Sequence, residues 1–336
     1  MNPSKENPEY TAVLVVSNEE KYEFTPVLTS LEMSHQKGQM AQTITLHLMN
    51  VNYQGKWLNA IVQPRQRVFL YANDGERHEE VFRGFVWSTS YTSSVTEREL
   101  ILQCYDNLIF LQESEDSAFF PAGYATKDIA NSIFSKWGIP MDYRYESITH
   151  GKLPLRGALG DLVVSDILDP VKKQTGKKYA LVMEKDTVVI RTAGDNESYY
   201  KILSASNALH TKNSATMDGM TTKVVILGKS NDAGQAPIEA VVCGDTDKWG
   251  TLQKLQDRDE ETTLADAQAE AQSIVDENGT PKRDYELRCS DIPWVRLGDR
   301  IYVSVGGIYD KTLIICGIDR ENSADKKEMT LTMEDQ

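Results

Sequence analysis

Gln42-Thr43-Ile44-Thr45-Leu46-His47-Leu48 alternates polar and apolar side chains at every step. Successive residues of a strand point to opposite faces, so this pattern buries Ile44, Leu46 and Leu48 and leaves the other face wet. The same signature surrounds it. Thr11-Ala12-Val13-Leu14-Val15-Val16 has high β propensity. Downstream come Arg67-Val68-Phe69-Leu70-Tyr71, the turn Asn73-Asp74-Gly75, Val81-Phe82-Arg83-Gly84-Phe85-Val86-Trp87 and Glu99-Leu100-Ile101-Leu102-Gln103-Cys104-Tyr105. Closely spaced strands with no helix between them predict a barrel or sandwich over residues 1–112.

The period changes at the polar link Glu113-Ser114-Glu115-Asp116-Ser117. Ile129, Ile133, Phe134 and Trp137 recur at helical spacing, with Thr126 as a cap, Asp128 in the first turn, and Gly138 and Pro140 as stops. A second helix is expected from Leu162 to Lys172-Lys173, broken or kinked at Pro170 and ended by Gly176. Tyr179–Met183 and Val188–Ile190 around Glu184-Lys185-Asp186 read as a hairpin. Residues 113–200 are therefore an α+β domain. Strands resume at Lys223–Leu227 and Ile238–Val242. A helix with Leu264, Ala267, Ala271, Ile274 and Val275 on one face follows, capped by Thr263 with Asp266 and ended by Gly279. The chain closes on strands around Arg300–Val303, Thr312–Ile315 and Met329–Met333.

The two β regions share an order. Arg67–Leu70, Phe82-Arg83-Gly84-Phe85-Val86 and Arg98–Leu102 match Arg300–Val303, Ile315-Cys316-Gly317-Ile318 and Lys327–Leu331. The expected fold is mainly β with an α+β part. Residues 1–112 form a first β domain, residues 113–200 the middle domain joined by 245–280, and residues 201–244 with 281–336 a second, discontinuous β domain.

Composition narrows the function. There are 36 Lys+Arg against 50 Asp+Glu, a net charge of −14, which disfavours sequence-specific contact with nucleic acid. Cys104, Cys243, Cys289 and Cys316 stand apart, with no CxxC pair, and read as buried free thiols. The opening MNPSKENPEY has no signal-peptide h-region, and no apolar run is long enough to span a membrane. The protein is expected to fold in a cytoplasm.

Complete catalytic motifs are missing. Gly228-Lys229-Ser230 ends like a phosphate-binding loop, but position 223 is Lys where glycine is needed, and the turn Asn231-Asp232-Ala233-Gly234 follows. His78-Glu79-Glu80 lacks a second zinc ligand, since position 82 is Phe. Asp245-Thr246-Asp247 lacks the glycine and terminal glutamate of a calcium loop and reads as an exposed polar loop. Trp57, Trp87, Trp137, Trp249 and Trp294 are dispersed and read as core or interface residues. No catalytic, cofactor-binding or metal-ligating residue is assigned, and no enzymatic activity is expected.

The segment order resembles the baseplate hub proteins of contractile phage tails, in the compact form found in Gram-positive prophages and phage-tail-like bacteriocins. The resemblance spans nearly the whole chain. It is carried by Val81–Val86, Leu102-Gln103-Cys104-Tyr105-Asp106-Asn107-Leu108, Ile129–Ile133 with Trp137-Gly138-Ile139-Pro140, and Gln174-Thr175-Gly176-Lys177-Lys178-Tyr179. Trp249-Gly250-Thr251-Leu252-Gln253 and Val295-Arg296-Leu297-Gly298-Asp299-Arg300-Ile301-Tyr302-Val303 complete it. The resemblance implies two tail-tube-like β-barrel domains flanking the α+β part. It implies a homotrimer in the particle, whose ring meets a hexameric tail tube on one side, a trimeric spike on the other, and other baseplate subunits around it. It places the chain in a virion tail or tail-like particle, with no room after Gln336 for a fused hydrolase. The acidity has two readings: it keeps the free subunit soluble, or it lines the central channel with carboxylates that let a polyanion pass. Two other readings compete: a tail-associated cell-wall hydrolase and a carbohydrate-binding or adhesin module.

Overall fold

Alternating stretches become strands, and each buries the apolar side that the pattern assigns. The computed structural model describes residues 7–17, 20–53, 55–95, 98–203, 208–230, 234–259 and 262–336. The first residues, on which the leader reading rests, and Asn231-Asp232-Ala233 of the expected turn lie outside them. Strands β1 (Glu9–Val15), β2 (Leu28–Gln36), β3 (Thr43–Met49), β4 (Arg67–Asn73), β5 (His78–Ser93) and β6 (Arg98–Tyr105) build the first β region. Leu14, Leu31, Leu46, Leu70 and Leu102 share its core. Short helices at Leu58–Ile61 and Ile109–Gln112 interrupt a stretch expected to hold none.

In the middle region the helix Thr126–Lys136 forms, but Thr126 does not cap it. Ala125 holds the cap position, and the Thr126 hydroxyl lies 3.2 Å from the Ile148 carbonyl and 2.9 Å from His150 Nε2. The hydroxyl therefore ties down the 148–150 loop, the usual competition between side-chain and helix bonding. The second helix runs through Leu159–Leu162, a π-helical stretch Val163–Leu168, and Asp169–Thr175. Pro170, which has no N–H to give, sits in the first turn of the last segment, directly after the π-helical stretch. The widened turn before it is the break that the proline requires. Gly176 ends the helix at φ 68°. Strands β7 (Tyr179–Glu184) and β8 (Thr187–Thr192) form the expected hairpin, with Met141–Tyr143 as a third strand.

Strand β9 (Ala208–Thr216) precedes β10 (Lys223–Leu227), β11 (Ile238–Cys243) and β12 (Gln253–Asp257). Residues 213–284 are a compact unit of their own. In it β11, β10 and β12 form a sheet whose Val224 and Ile226 pack on Ala267, Ala271 and Val275 of the helix Leu264–Asn278. This corrects two expectations: the 223–243 strands pair here rather than with 281–336, and the helix covers them rather than joining residues 113–200. The helix start is as read, with Asp266 N donating to Thr263 Oγ1 at 3.2 Å.

Strands β13 (Lys282–Ser290), β14 (Arg300–Val305), β15 (Ile308–Ser323) and β16 (Lys327–Asp335) complete the chain. The large sheet runs β9-β13-β16-β15-β2-β3-β6-β5-β4-β1 and on to Lys21–Glu23, with β14 also on β15. No closed barrel is found among the described residues; both ends of this path are open edges.

The two β regions share a pairing pattern, but in it Gly84 and Gly317, matched in the sequence, do not hold equivalent positions. β5 and β15 are both 16 residues long. The first part of each pairs with the preceding strand, Phe85 opposite Arg67 and Ile314 opposite Arg300. Each then bulges against the following strand, between Val86 and Ser88 and between Ile315 and Gly317. One constant offset carries Phe85 to Ile314, Ser88 to Gly317 and Gln103 to Thr332. Four-strand units thus match: β2-β3-β6-β5 and β9-β13-β16-β15.

The glycines of the two long strands are held differently. A Cβ on Gly84 would lie 2.1 Å from the Tyr105 carbonyl oxygen, a backbone atom. On Gly317 it would meet the movable Gln36 Oε1 at 2.1 Å. Gly84→Ala is expected to lower stability by roughly 1–3 kcal/mol, as overpacking does, and Gly317→Ala by less. Urea midpoints of the two variants check the order.

Candidate assembly surfaces

The segment Val295-Arg296-Leu297-Gly298-Asp299-Arg300 lies where three parts of the unit formed by residues 1–212 and 285–336 meet. Just before it, Asp291 is enclosed, with its side chain 0% exposed and that of Arg320 3%. Arg320 Nε donates to Asp291 Oδ1 at 3.0 Å, and Nη2 donates to the Val295 carbonyl at 2.7 Å. The Tyr10 hydroxyl donates to the other Asp291 oxygen at 2.5 Å, which ties in β1. Trp294 Nε1 donates to Asp74 Oδ2 at 2.6 Å, so the β4–β5 turn is held as well. Arg191 of β8 reaches Asp299 Oδ1 at 2.5 Å, and Asp299 Oδ2 accepts from Arg296 N at 2.8 Å. Gly298, at φ 78°, leaves no room for a side chain: a Cβ would lie 2.1 Å from the Ala180 Cβ. On the other side of the hairpin, Asp186 accepts from Arg67 at 2.5 Å and from Arg83, which also holds Glu80 at 2.7 Å.

Burial pushes Asp291 and Asp299 above the ordinary carboxylate value, while Arg320 and Arg191 pull them back. Burial, with the nearby Arg296 and Arg320 cations, pushes His35 down to about 4, so it is neutral at pH 7.

A cleft in the same unit is lined by Glu79, Glu80, Arg83, Asp106, Asp142 and Arg296. It is where a hydrolase's carboxylate pair would be sought. Each inner carboxylate already has structural work. Glu80 holds Arg83, and Asp142 accepts from Arg144 at 2.8 Å. Asp106 is buried and accepts from Gln42 N at 3.0 Å and Leu108 N at 2.9 Å, joining β3 to the turn after β6. Burial pushes Asp106 up to about 7.

The other residues singled out in the sequence are not brought together. Gly228 N donates to the Pro237 carbonyl at 2.9 Å, the start of a hairpin between β10 and β11. Asp245 Oδ1 accepts from Lys248 N at 3.1 Å and so caps the short helix Thr246–Trp249, correcting the plain-loop reading. Trp57 and Trp87 are exposed, Trp294 joins two cores, and Trp137 packs on the middle core. Cys104 and Cys289 are buried, but Cys316 is only half-buried and Cys243 is exposed, which corrects the reading of four buried thiols. Among the described residues no helix is long and apolar enough to cross a membrane.

Sequence reasoning missed the large polar face. Along β2, β3, β6, β15 and β16 the residues that alternate with the core carry Glu32, Glu99, Asp319, Glu321 and Glu328. Glu321 stands directly opposite both Glu32 and Glu328. Lys326 pairs with Glu321, and Arg288 lies 3.6 Å from Glu328. Period-2 alternation marks these residues as outward-facing, but their register across strands is set by pairing that the pattern does not carry.

The fold is that of phage tail proteins. The chain belongs to the YQBQ-like family, which matches residues 31–334. It is 24% identical over 234 residues to the phage-like element PBSX protein XkdQ of Bacillus subtilis, covering 68% of this chain and 69% of that one. The 43 kDa tail protein of prophage MuSo2 from Shewanella oneidensis has a similar structure, with TM-score 0.72, 15% identity and coverage of 97% and 98%. So has the E. coli c3393 protein, described as a type VI secretion component similar to the T4 tail proteins gp27 and gp5. There the TM-score is 0.59 at 10% identity, covering 92% of this chain and 74% of that one.

Arg320→Met leaves the Asp291 carboxylate buried without its cation and is expected to cost about 3–5 kcal/mol, whereas Arg320→Met with Asp291→Leu recovers only part of it, because the buried Tyr10 hydroxyl and the Val295 carbonyl lose these partners; urea unfolding of both variants is the check. Asp106 supplies a pH test. Its folded value, about 7, lies above the ordinary 3.8, so the native chain keeps a proton that the unfolded chain releases. That contribution is complete below the unfolded value and is lost as pH rises through the folded one. The thermal midpoint is expected to fall as pH rises from about 4 to about 7, and Asp106→Asn to flatten part of that fall.

Proposed function

We propose that this chain is a structural baseplate hub subunit of a contractile phage tail or tail-like particle, joining a hexameric tail tube to a trimeric spike. One observation carries the reading: each chain holds two matching four-strand units in one continuous sheet. Three copies then present six such units, which lets one ring face a six-fold tube and a three-fold spike. On this reading the two units are the tail-tube-like domains, and residues 113–200 stand between them in sequence. The names of the similar proteins, a phage-like element protein and a prophage tail protein, support the same assignment.

The acidic sheet face fits the wall of a channel. Like charges directly opposite one another on a sheet are destabilising. A wall of the same sign as DNA binds it weakly and lets it pass. The chain acts in this reading by assembly, without catalysis or cofactor, in a tail put together in the host cytoplasm.

The full-length chain, co-expressed with its tube and spike gene neighbours, is expected to give complexes that native mass spectrometry counts at three copies. One copy or six per particle would remove the hub assignment.

A further inference from the structure

Arg65, just before β4, and Gly298, just before β14, hold matching places in the two β regions. Arg65 N donates to the Val86 carbonyl at 2.7 Å, and Val86 N donates to the Gln66 carbonyl at 2.9 Å. Gly298 N donates to the Ile315 carbonyl at 2.8 Å, and Ile315 N donates to the Asp299 carbonyl at 2.9 Å. The backbone angle φ is 77° at Arg65 and 78° at Gly298. Glycine adopts this left-handed conformation freely, whereas a residue with a Cβ is strained in it. What lies over the two places differs. At Gly298 the β7–β8 hairpin covers the chain, with Ala180 where a side chain would go and Arg191 bonded to Asp299. Arg65, by contrast, is exposed, and its guanidinium carbon lies 4.5 Å from the centre of the Phe85 ring and 4.5 Å from that of Phe110. Arg67 and Arg83 are both bonded to Asp186, but Arg65 has no ion pair among the described residues.

We propose that Arg65, held between Phe85 and Phe110, is the docking point for a carboxylate of a neighbouring tail protein rather than of another copy of this chain. The inference rests on the hub reading above and names the residue with which the subunit holds a neighbour. Three observations carry it. First, a glycine would serve the backbone here, as it does at position 298, so the strained arginine acts through its side chain. Second, the guanidinium is prepared for a planar anion. Two aromatic rings hold it in one orientation, and its donors form a fork that matches a carboxylate. Trp87, 41% exposed and edge-on to Phe110, extends the surface with a residue type that dominates interface energetics. Third, charge is reversed between the two places. The last β region offers the Asp299 carboxylate and takes up Arg191, whereas the first has neutral Gln66 there and adds a cation. The β7–β8 hairpin, the segment of this chain that fits such a place, is engaged at Gly298 and would bring Arg191 towards Arg65. An acidic segment of a different protein fits instead. A nucleic acid would need several free cations, and Arg67 and Arg83 are already neutralised by Asp186 and Glu80.

The test uses the full-length chain carrying Arg65→Gly or Arg65→Glu, each mixed in turn with the purified tube and spike neighbours. Arg65→Gly copies the last β region and relieves the backbone, so it is expected to fold with a thermal midpoint close to that of the parent chain. Both variants are expected to bind one of the two neighbours about tenfold more weakly or worse, the charge reversal having the larger effect. Both are expected to keep three copies in the complex with the other neighbour, counted by native mass spectrometry. A parent chain that reaches three copies yet binds neither neighbour, or variants that bind both as the parent does, would overturn the proposal and leave the copy number standing. Loss of the three-copy species with neighbour binding intact would make the surface a contact between copies, and a loss confined to retention of a duplex oligonucleotide would make it a nucleic-acid face; either outcome also overturns it. If the parent chain reaches three copies in no mixture, the hub reading falls and this inference falls with it.

Discussion

The antiparallel pairing of β2 with β15 is the constraint on which the rest of the large unit depends. It joins residues 30–36 to residues 317–323, nearly the full length of the chain apart. Because side chains alternate, a slip of one residue would turn Leu31 and Met33 to water and Glu32 to the core. Ser34 and Gln36 each donate to Asp319 at 2.7 Å, which adds a register-specific contact on the wet face. On the buried face Arg320 carries the same register into the Asp291 and Val295 contacts. The pairing and the clamp therefore specify each other. Contacts this distant in sequence close late and slowly, so the local meanders are expected to form before the joint.

The polar face shows where stability gives way to another demand. Glu32, Glu321 and Glu328 stand in one row across three strands, and Lys326 and Arg288 offset them only in part. A sheet selected for stability alone would alternate charge along such a row. On the hub reading proposed above, repulsion from a passing polyanion is a use for the row that stability does not supply.

Much of the fold was legible in the sequence because strand periodicity is local. The alternation at 42–48, the hairpin around Lys185 and the Thr263 cap all depend on neighbours within a few residues. What the pattern could not carry was partnership. Strands at 223–227 and 238–243 look alike whether they join the last β region or their own sheet, and the choice is made by the helix Leu264–Asn278. Thr126 looked like a cap because capping is the commonest use of such a residue before a helix, but the 148–150 loop took its hydroxyl. The Arg191–Asp299 and Trp294–Asp74 pairs join residues too distant in sequence for any spacing rule. The segment Val295–Arg300 was singled out by resemblance alone, and the structure supplies its physical reason in Gly298 and Asp299.

The two bulges show how the repeat has diverged to different ends. In β15 the bulge residue is Cys316, and its carbonyl accepts from Lys37 N at 2.7 Å, where the chain leaves β2. In β5 the matching residue is Trp87, whose ring lies edge-on to Tyr105 and Phe110, with Arg65 stacked on Phe110 at 4.5 Å. That cluster fixes the base of the exposed half of β5 before any partner arrives. Prior ordering lowers the entropy lost on association. Trp87 remains 41% exposed at the place where its half-buried counterpart accepts from Lys37 N just past the end of a neighbouring strand. A small residue suffices where the covering strand belongs to the same chain and is always present.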